Sequence, residues 1–149
     1  MMQLDNLYQE VILDHYKNPQ NKELASDNDA QVHHVNPSCG DEVTLGVKLD
    51  GEKVLSINWD GVGCSISQAS TSIMSDLLVG KPLSEANLIA ENFLHLMQSK
   101  GVEEGDPDIL EDAVALAGVS KYPARIKCAL LGWMAFKDAS VQAHSKEEK

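Results

Sequence analysis

Cysteine is scarce in this sequence, and long apolar runs are missing. The 149 residues include three cysteines, none of them in a C-x-x-C pair. An odd number of cysteines without such a pair argues against a disulfide framework and against a thioredoxin-like motif. No apolar run approaches the length needed to cross a bilayer, and residues 1–5 lack the basic region of a secretion signal. These absences predict a cytoplasmic protein that does not bind membranes.

Positive charge is also in short supply. The chain carries 12 Lys and Arg against 23 Asp and Glu, for a formal net charge of -11. Nucleic-acid binding relies on clustered Lys and Arg that neutralise phosphates. The sequence therefore argues against DNA or RNA as a partner and favours a protein partner.

Period-two alternation predicts a small sheet in the first half of the chain. Apolar side chains alternate with other residues from Val43 to Leu49, and the following Asp50-Gly51 pair is a strong hairpin signal. A return strand is expected over residues 53–59 and a third strand over residues 31–35. The prediction is a single α+β domain over residues 1–141, in which a small antiparallel three-stranded sheet packs against several helices.

Helical periodicity accounts for most of the remaining chain. Ser84 is the expected N-cap of one helix, whose apolar face includes Leu88 and Phe93. Asp106-Pro107 is expected to start another, because proline suits the first helical position. The predicted helices cover residues 5–17, about 65–80, 84–98, 107–117 and 124–139, followed by a flexible charged tail over residues 142–149.

The three cysteines lie in contexts that suit metal binding or sulfur chemistry. Cys39 lies in the turn NPSCGD with Asp41 two residues later, Cys64 follows GVG at a strand-to-helix junction, and Cys128 lies early in a helix. Three thiolates and one carboxylate would supply the four ligands of a tetrahedral zinc site. The helix macrodipole would favour a thiolate at Cys64.

An alternative interpretation is that these are three unrelated buried cysteines. Free cysteine is among the most frequently buried residue types. The gaps of 25 and 64 residues between the cysteines match no compact zinc-finger pattern. Spacing alone therefore leaves both interpretations open, and the flanking glycines add the expectation of tight or left-handed backbone at Gly40, Gly61 and Gly63.

The local motifs resemble those of the IscU/SufU iron–sulfur cluster assembly family. The resemblance covers YQEVILDHYKNP (residues 8–19), NPSCGD (36–41), GVGCSISQAS (61–70) and RIKCALLGW (125–133). It implies an IscU/SufU-like fold, with Cys39, Asp41, Cys64 and Cys128 as metal ligands. It also implies that Cys39 accepts sulfur and that Arg125 holds a ligand carboxylate or steadies the charge of a persulfide, although an exposed salt bridge is an equal alternative for Arg125.

Two features are similar to the SufU branch of this family. The IscU branch has a histidine directly before the third cysteine, where this chain has Lys127, and the stretch from Gly80 to Pro123 is longer. A protonated lysine does not ligate zinc or iron. The resemblance thus implies a zinc-dependent sulfurtransferase that accepts persulfide sulfur from a SufS-type cysteine desulfurase and feeds downstream SUF assembly components.

Two other functions compete with this one. The same ligands would suit a scaffold that binds a nascent iron–sulfur cluster. A cysteine hydrolase using Cys39 and a histidine is weaker, because no oriented base is evident. His33 and His34 alternate faces of a predicted strand, so at most one would point at the site, while His15, His95 and His144 are expected in solvated or capping roles.

Overall fold

The computed structural model describes residues 6–37 and 40–147 and has the predicted α+β fold. Helix α1 is followed by three strands, then by α2 and α3, a short α4 that continues into a 3₁₀ segment, and a long α5. The bounds are α1 Asn6–Lys17, β1 Ala30–Asn36, β2 Asp41–Asp50, β3 Lys53–Val62, α2 Ser65–Leu78, α3 Leu83–Gln98, α4 Pro107–Leu110, the 3₁₀ segment Glu111–Lys121 and α5 Pro123–Glu147. No helix in the described part of the chain is long and apolar enough to cross a membrane.

The sheet is antiparallel throughout, in the order β1-β2-β3. Gly51 has a φ of 61°, which the tight turn between β2 and β3 requires and which glycine adopts without strain. Strand β3 ends at Val62, three residues beyond the predicted end, because Val62 still pairs with Glu42 of β2. The extra length places the end of β3 directly beside the start of α2.

The core lies between one face of the sheet and the helices. Alternate residues of β2 point inward, and α5 packs across β1 and β2 while α2 packs against β3. Trp59 and Trp133 are both fully buried. The Trp133 ring stacks on Phe93 of α3 with a centroid distance of 4.1 Å.

A polar and small-residue contact joins α2 to α5. The Ser70 hydroxyl donates to the Ala129 carbonyl at 2.6 Å and accepts from the Trp133 indole N–H at 2.9 Å. One turn along, Gly132 leaves room for Thr71, since a β-carbon at position 132 would lie 2.9 Å from the Thr71 Cγ2. Because Cys64 starts α2 and Cys128 lies near the start of α5, this contact sets how the two cysteines approach each other.

Gly132→Ala is expected to destabilise the fold, although alanine normally favours a helix. Overpacking of this kind typically costs about 1–3 kcal/mol, against a gain of at most about 1 kcal/mol from helix propensity. The free energy of unfolding from urea denaturation measures the net effect. Adding Thr71→Ala removes two of the three contacting atoms and should recover part of the loss. A Gly132→Ala protein as stable as the unmodified chain would contradict the close contact.

Helix α3 begins earlier than predicted. Ser84 is not its N-cap, because Pro82 occupies that position and the Leu83 N–H donates to the Glu52 carbonyl at 2.6 Å. A backbone carbonyl from the β2–β3 turn thus replaces the expected serine cap. Leu88, predicted on the apolar face, is 61% exposed.

The last two helices also differ from prediction. Asp106 caps α4 and Pro107 is its first residue, as predicted, but the α-helix ends at Leu110 because Glu111 has a φ of 47°. Helix α5 does not end near Ala139. Residues Ser140 and Ala143 remain buried and the helix continues to Glu147, so residues 142–147 of the predicted tail are helical.

Candidate metal centre

Asp41 is the first residue of β2 and lies at the end of the sheet. Its side chain is 3% exposed. The preceding turn is closed by a hydrogen bond from the Gly40 N–H to the Asn36 carbonyl at 2.8 Å. Gly40 has a φ of 76°, the left-handed backbone expected there. This turn directs the Asp41 carboxylate inward, toward the start of α2.

Cys64 is the N-cap of α2, immediately after β3. Its N–H donates to Asp41 Oδ1 at 3.1 Å, and its thiol donates to Asp41 Oδ2 at 3.5 Å. Its carbonyl accepts from the Ser67 hydroxyl at 3.1 Å. The side chain is half-buried, so its sulfur lies at the border between the core and the surface.

Cys128 reaches the same point from the second turn of α5. Its side chain is 1% exposed, and its thiol lies 3.7 Å from the Ala124 carbonyl. One ligand atom from each of Asp41, Cys64 and Cys128 lies within 4.8 Å of the others. Three residues that are far apart in the sequence therefore form one group that could hold a metal ion.

The donor atoms of this group and the distances between them both suit a zinc ion. Ligand atoms around a tetrahedral zinc ion lie roughly 3.5–3.8 Å apart, given metal–ligand distances of about 2.0–2.3 Å. The 3.5 Å between Cys64 Sγ and Asp41 Oδ2 already matches that spacing. A group spanning up to 4.8 Å needs only a small contraction to close on the ion. Mixed thiolate and carboxylate ligands suit zinc chemically.

The expectation for the three glycines near the cysteines was a tight or left-handed backbone, and one of them has the left-handed form. Gly40 has a positive φ, but Gly61 and Gly63 do not. Their role is spatial. A β-carbon at Gly61 would lie 2.5 Å from the Glu42 carbonyl oxygen, and one at Gly63 would lie 2.6 Å from Asp41 Oδ1. The absence of side chains allows the two strands and the carboxylate to come close.

Three of the five predicted site residues lie together in the structure. Asp41, Cys64 and Cys128 form the group, whereas Cys39 lies outside the described residues. Arg125 is exposed on the first turn of α5, and within residues 6–37 and 40–147 it makes no salt bridge. Lys127 is exposed beside the buried Cys128.

The described histidines do not join the group. His33 contacts Thr44 Oγ1 at 2.9 Å on the outer sheet face. His34 contacts Asp138 Oδ2 at 2.9 Å on α5, and this hydrogen bond holds the pKa of Asp138 below its usual range. The prediction for His15 is wrong. It is buried, with Nδ1 2.8 Å from the Ser72 hydroxyl of α2, because α1 packs on α2 at that position.

Sequence reasoning missed two supports of the site. One is the space at Gly63, and the other is the bridge from Ser70 to Ala129 and Trp133. The signal for the second was present in the run of small residues in α2, since Ser67, Ser70 and Thr71 are all buried. Small polar residues along one helix face indicate close packing against a neighbour, and here that neighbour is α5.

Comparison with known proteins identifies the family to which this fold and its cysteine–carboxylate group belong. The family profile of the NifU-like N terminal domain matches residues 7–129. The chain belongs to this family, which includes the IscU and SufU proteins.

Individual relatives cover nearly the whole chain. The chain is 48% identical over 134 residues to the "Zinc-dependent sulfurtransferase SufU" of Bacillus subtilis, covering 90% of this chain and 89% of the relative. It is 41% identical to the "Iron-sulfur cluster assembly scaffold protein IscU" of Streptococcus pyogenes, and the match covers 93% of this chain and 86% of the relative. It is also similar to a crystal structure from Fervidobacterium islandicum, described as an iron–sulfur cluster assembly scaffold protein for the SUF system. That structure has a TM-score of 0.80 at 35% identity and covers 87% of this chain and 93% of its own.

Proposed function

We propose that this chain is a zinc-dependent sulfur-transfer protein, which accepts persulfide sulfur from a SufS-type cysteine desulfurase for iron–sulfur cluster assembly. The observation that carries the proposal is the meeting of Asp41, Cys64 and Cys128 at the end of the sheet. These three side chains, with Cys39 as the fourth ligand, would hold the zinc ion. Zinc would act as a Lewis acid that keeps the coordinating thiols deprotonated.

The position before the third cysteine supports zinc and sulfur transfer over cluster binding. Lys127 is exposed and, as an ammonium, has no lone pair for a metal. The relative from Bacillus subtilis, which is 48% identical, carries the name of a zinc-dependent sulfurtransferase. Zinc does not change its redox state. A zinc-holding site can therefore present thiols for sulfur transfer without oxidising them.

Sulfur transfer by this chain would be an exchange between two sulfur atoms. The Cys39 thiolate attacks the outer sulfur of the desulfurase persulfide, and a new S–S bond forms on Cys39. The S–S bond of the donor breaks, and its electron pair leaves with the desulfurase cysteine as a thiolate. The proton of the persulfide stays on the transferred outer sulfur. One S–S bond forms as another breaks, so no external oxidant or reductant is needed. Cys39 then carries the persulfide that downstream SUF components consume.

Arg125 would steady the negative charge during this exchange. Arg125→Ala is expected to slow sulfur transfer about 10- to 100-fold, since a hydrogen bond to a charged group is worth about 1.5–3 kcal/mol. Zinc content should not change. Lys127→Ala is the matched control, because Lys127 is a second exposed cation on the same stretch of α5. Transfer rates with the desulfurase measure the effect, and equal slowing in both variants would contradict a specific role for Arg125.

The proposed setting is the cytoplasm. The three cysteines include no C-x-x-C pair and do not suggest a disulfide framework, which is typical of proteins in a reducing compartment. A net charge of -11 suits a protein partner with a basic docking surface.

A second candidate function is a scaffold that receives a nascent iron–sulfur cluster as its cargo. The relatives from Streptococcus pyogenes and Fervidobacterium islandicum, both described as scaffolds, support it. The same thiolates would bind the cluster iron. The two candidates differ in what the isolated protein carries.

Metal analysis of the full-length chain, purified without reconstitution, tests the proposal. We expect about one zinc per chain, as one tetrahedral site requires. Mixing this protein with its cysteine desulfurase and cysteine should then add about 32 Da, the mass of one sulfur atom, to the Cys39 peptide. Iron and sulfide in place of zinc would favour the scaffold, and a protein with no metal would overturn both candidates.

A further inference from the structure

The two oxygens of the Asp41 carboxylate have different surroundings. Oδ1 accepts a hydrogen bond from the Cys64 N–H at 3.1 Å, while Oδ2 lies 3.5 Å from the Cys64 sulfur. Asp41 is 3% exposed, and a buried carboxylate needs such a partner to offset its lost hydration. The Cys64 N–H at the start of α2 thus engages one oxygen, and the other lies beside the Cys64 sulfur.

Gly63 provides the space in which this arrangement fits. A β-carbon there would lie 2.6 Å from Asp41 Oδ1 and 2.7 Å from Asp41 Cγ. It would also lie 2.5 Å from the Ser67 hydroxyl oxygen. Gly63 does not have a positive φ, so its backbone would accept alanine without strain. The need for glycine at this position is therefore a need for space beside the carboxylate.

We propose that Gly63 is a positioning residue for the metal centre. Its missing side chain, together with the Cys64 N–H, holds Asp41 so that Oδ2 alone serves as a one-oxygen ligand. With one oxygen from Asp41 and three thiolates, the coordination number stays at the four that suit tetrahedral zinc. The identity of the metal rests on the proposed function, whereas the positioning of Asp41 rests on the geometry.

A supporting group of this kind has a characteristic effect on affinity. Changing a residue that orients a metal ligand typically weakens metal binding about 10–100-fold. An alanine at position 63 would push the carboxylate away from the Cys64 N–H and rotate Oδ2 away from the sulfurs. The loss should vanish when Asp41 is absent, because Gly63 acts through Asp41.

A double-mutant cycle on the full-length protein tests this dependence. The four proteins are the unmodified chain, Gly63→Ala, Asp41→Ala and the combined variant, and the zinc dissociation constant is measured by competition with a chelating indicator. Asp41→Ala is expected to keep a weaker site on the thiolates. Gly63→Ala should weaken binding about 10–100-fold in the unmodified chain, but by less than about twofold in the Asp41→Ala background.

Cobalt(II) provides a second readout that overall stability does not affect. When Co²⁺ replaces zinc, its visible absorption reports the ligand set. Gly63→Ala should shift this spectrum toward that of Asp41→Ala, because both variants remove the same oxygen. An unshifted spectrum in a weakened Gly63→Ala protein would contradict the proposal.

Ser67 supplies the matched control, since its hydroxyl is the other atom that a β-carbon would meet. Ser67→Ala alone gives the reference affinity for the combined variant, because both proteins lack the hydrogen bond from the Ser67 hydroxyl to the Cys64 carbonyl. Gly63→Ala combined with Ser67→Ala should remain weak, because the contact with Asp41 persists. Restored affinity in that pair would assign the effect to Ser67 and overturn the proposal.

The remaining outcomes are equally decisive. If Gly63→Ala lowers zinc affinity equally in the presence and absence of the Asp41 carboxylate, the cause is a general distortion of the site, contrary to the proposal. If Gly63→Ala alone does not fold, the folding of the combined variant becomes the readout, and adding Asp41→Ala must restore it. An unmodified chain that binds no zinc would overturn the zinc-dependent function as well, whereas loss of sulfur transfer alone would leave the cycle intact.

Discussion

Cys39→Ser is expected to abolish sulfur transfer while leaving the fold largely intact. Serine keeps the size of the side chain, but its hydroxyl does not attack a persulfide as a thiolate does. Stimulation of the desulfurase should fall to the level seen without this protein, and no sulfur should be added to the peptide that contains position 39. Mass spectrometry and the rate of sulfur release measure the two effects.

Ser38→Ala is the control for this variant, because it changes the adjacent residue and keeps the thiol. It should transfer sulfur at the rate of the unmodified chain. Sulfur found on Cys64 or Cys128, or undiminished stimulation by Cys39→Ser, would contradict the proposed acceptor. Either result would favour the scaffold function.

Cys64→Ala and Cys128→Ala should each lose the metal and much of the thermal stability. Zinc that binds only the folded state raises the free energy of unfolding by about 4 kcal/mol when its concentration is a thousand times the dissociation constant. For a chain of this size that corresponds to a fall of about 10 °C in melting temperature. The two cysteines come from different helices, so losing either one removes a link between α2 and α5.

Elemental analysis and calorimetry with and without a chelator measure this prediction. The chelator should lower the melting temperature of the unmodified chain but not that of either alanine variant. Ser65→Ala, at the first residue of α2, is the control and should keep its zinc. Full zinc content with an unchanged melting temperature in either cysteine variant would show that the ligand assignment is wrong.

The local sequence determined the elements of the fold and the chemistry of the candidate site. Alternation from Val43 to Leu49 and the Asp50-Gly51 turn predicted the hairpin, because strand pairing follows a period that is written in neighbouring residues. Asp106-Pro107 predicted the start of α4, because the fixed φ of proline suits the first helical position. The cysteine motifs indicated the family, which the match over residues 7–129 confirms.

Tertiary contacts decided the features that depend on residues far apart in the chain. The Glu52 carbonyl, not the Ser84 side chain, satisfies the start of α3. His15 is buried because α2 packs over it, and α5 extends because Ala143 remains in the core. No local pattern contains these neighbours.

The metal group shows which part of the site the sequence predicts and which part the tertiary structure decides. The residue types at positions 41, 64 and 128 were enough to suggest zinc, since thiolates and a carboxylate are zinc ligands in any fold. The sequence did not predict that their ligand atoms approach within 4.8 Å of one another. That distance depends on β3 ending beside β2 and on α5 packing against α2. The space at Gly63 was also hidden, because the atom that requires it belongs to Asp41, on a different strand. Composition supplied the ligands, and three-dimensional packing supplied the site.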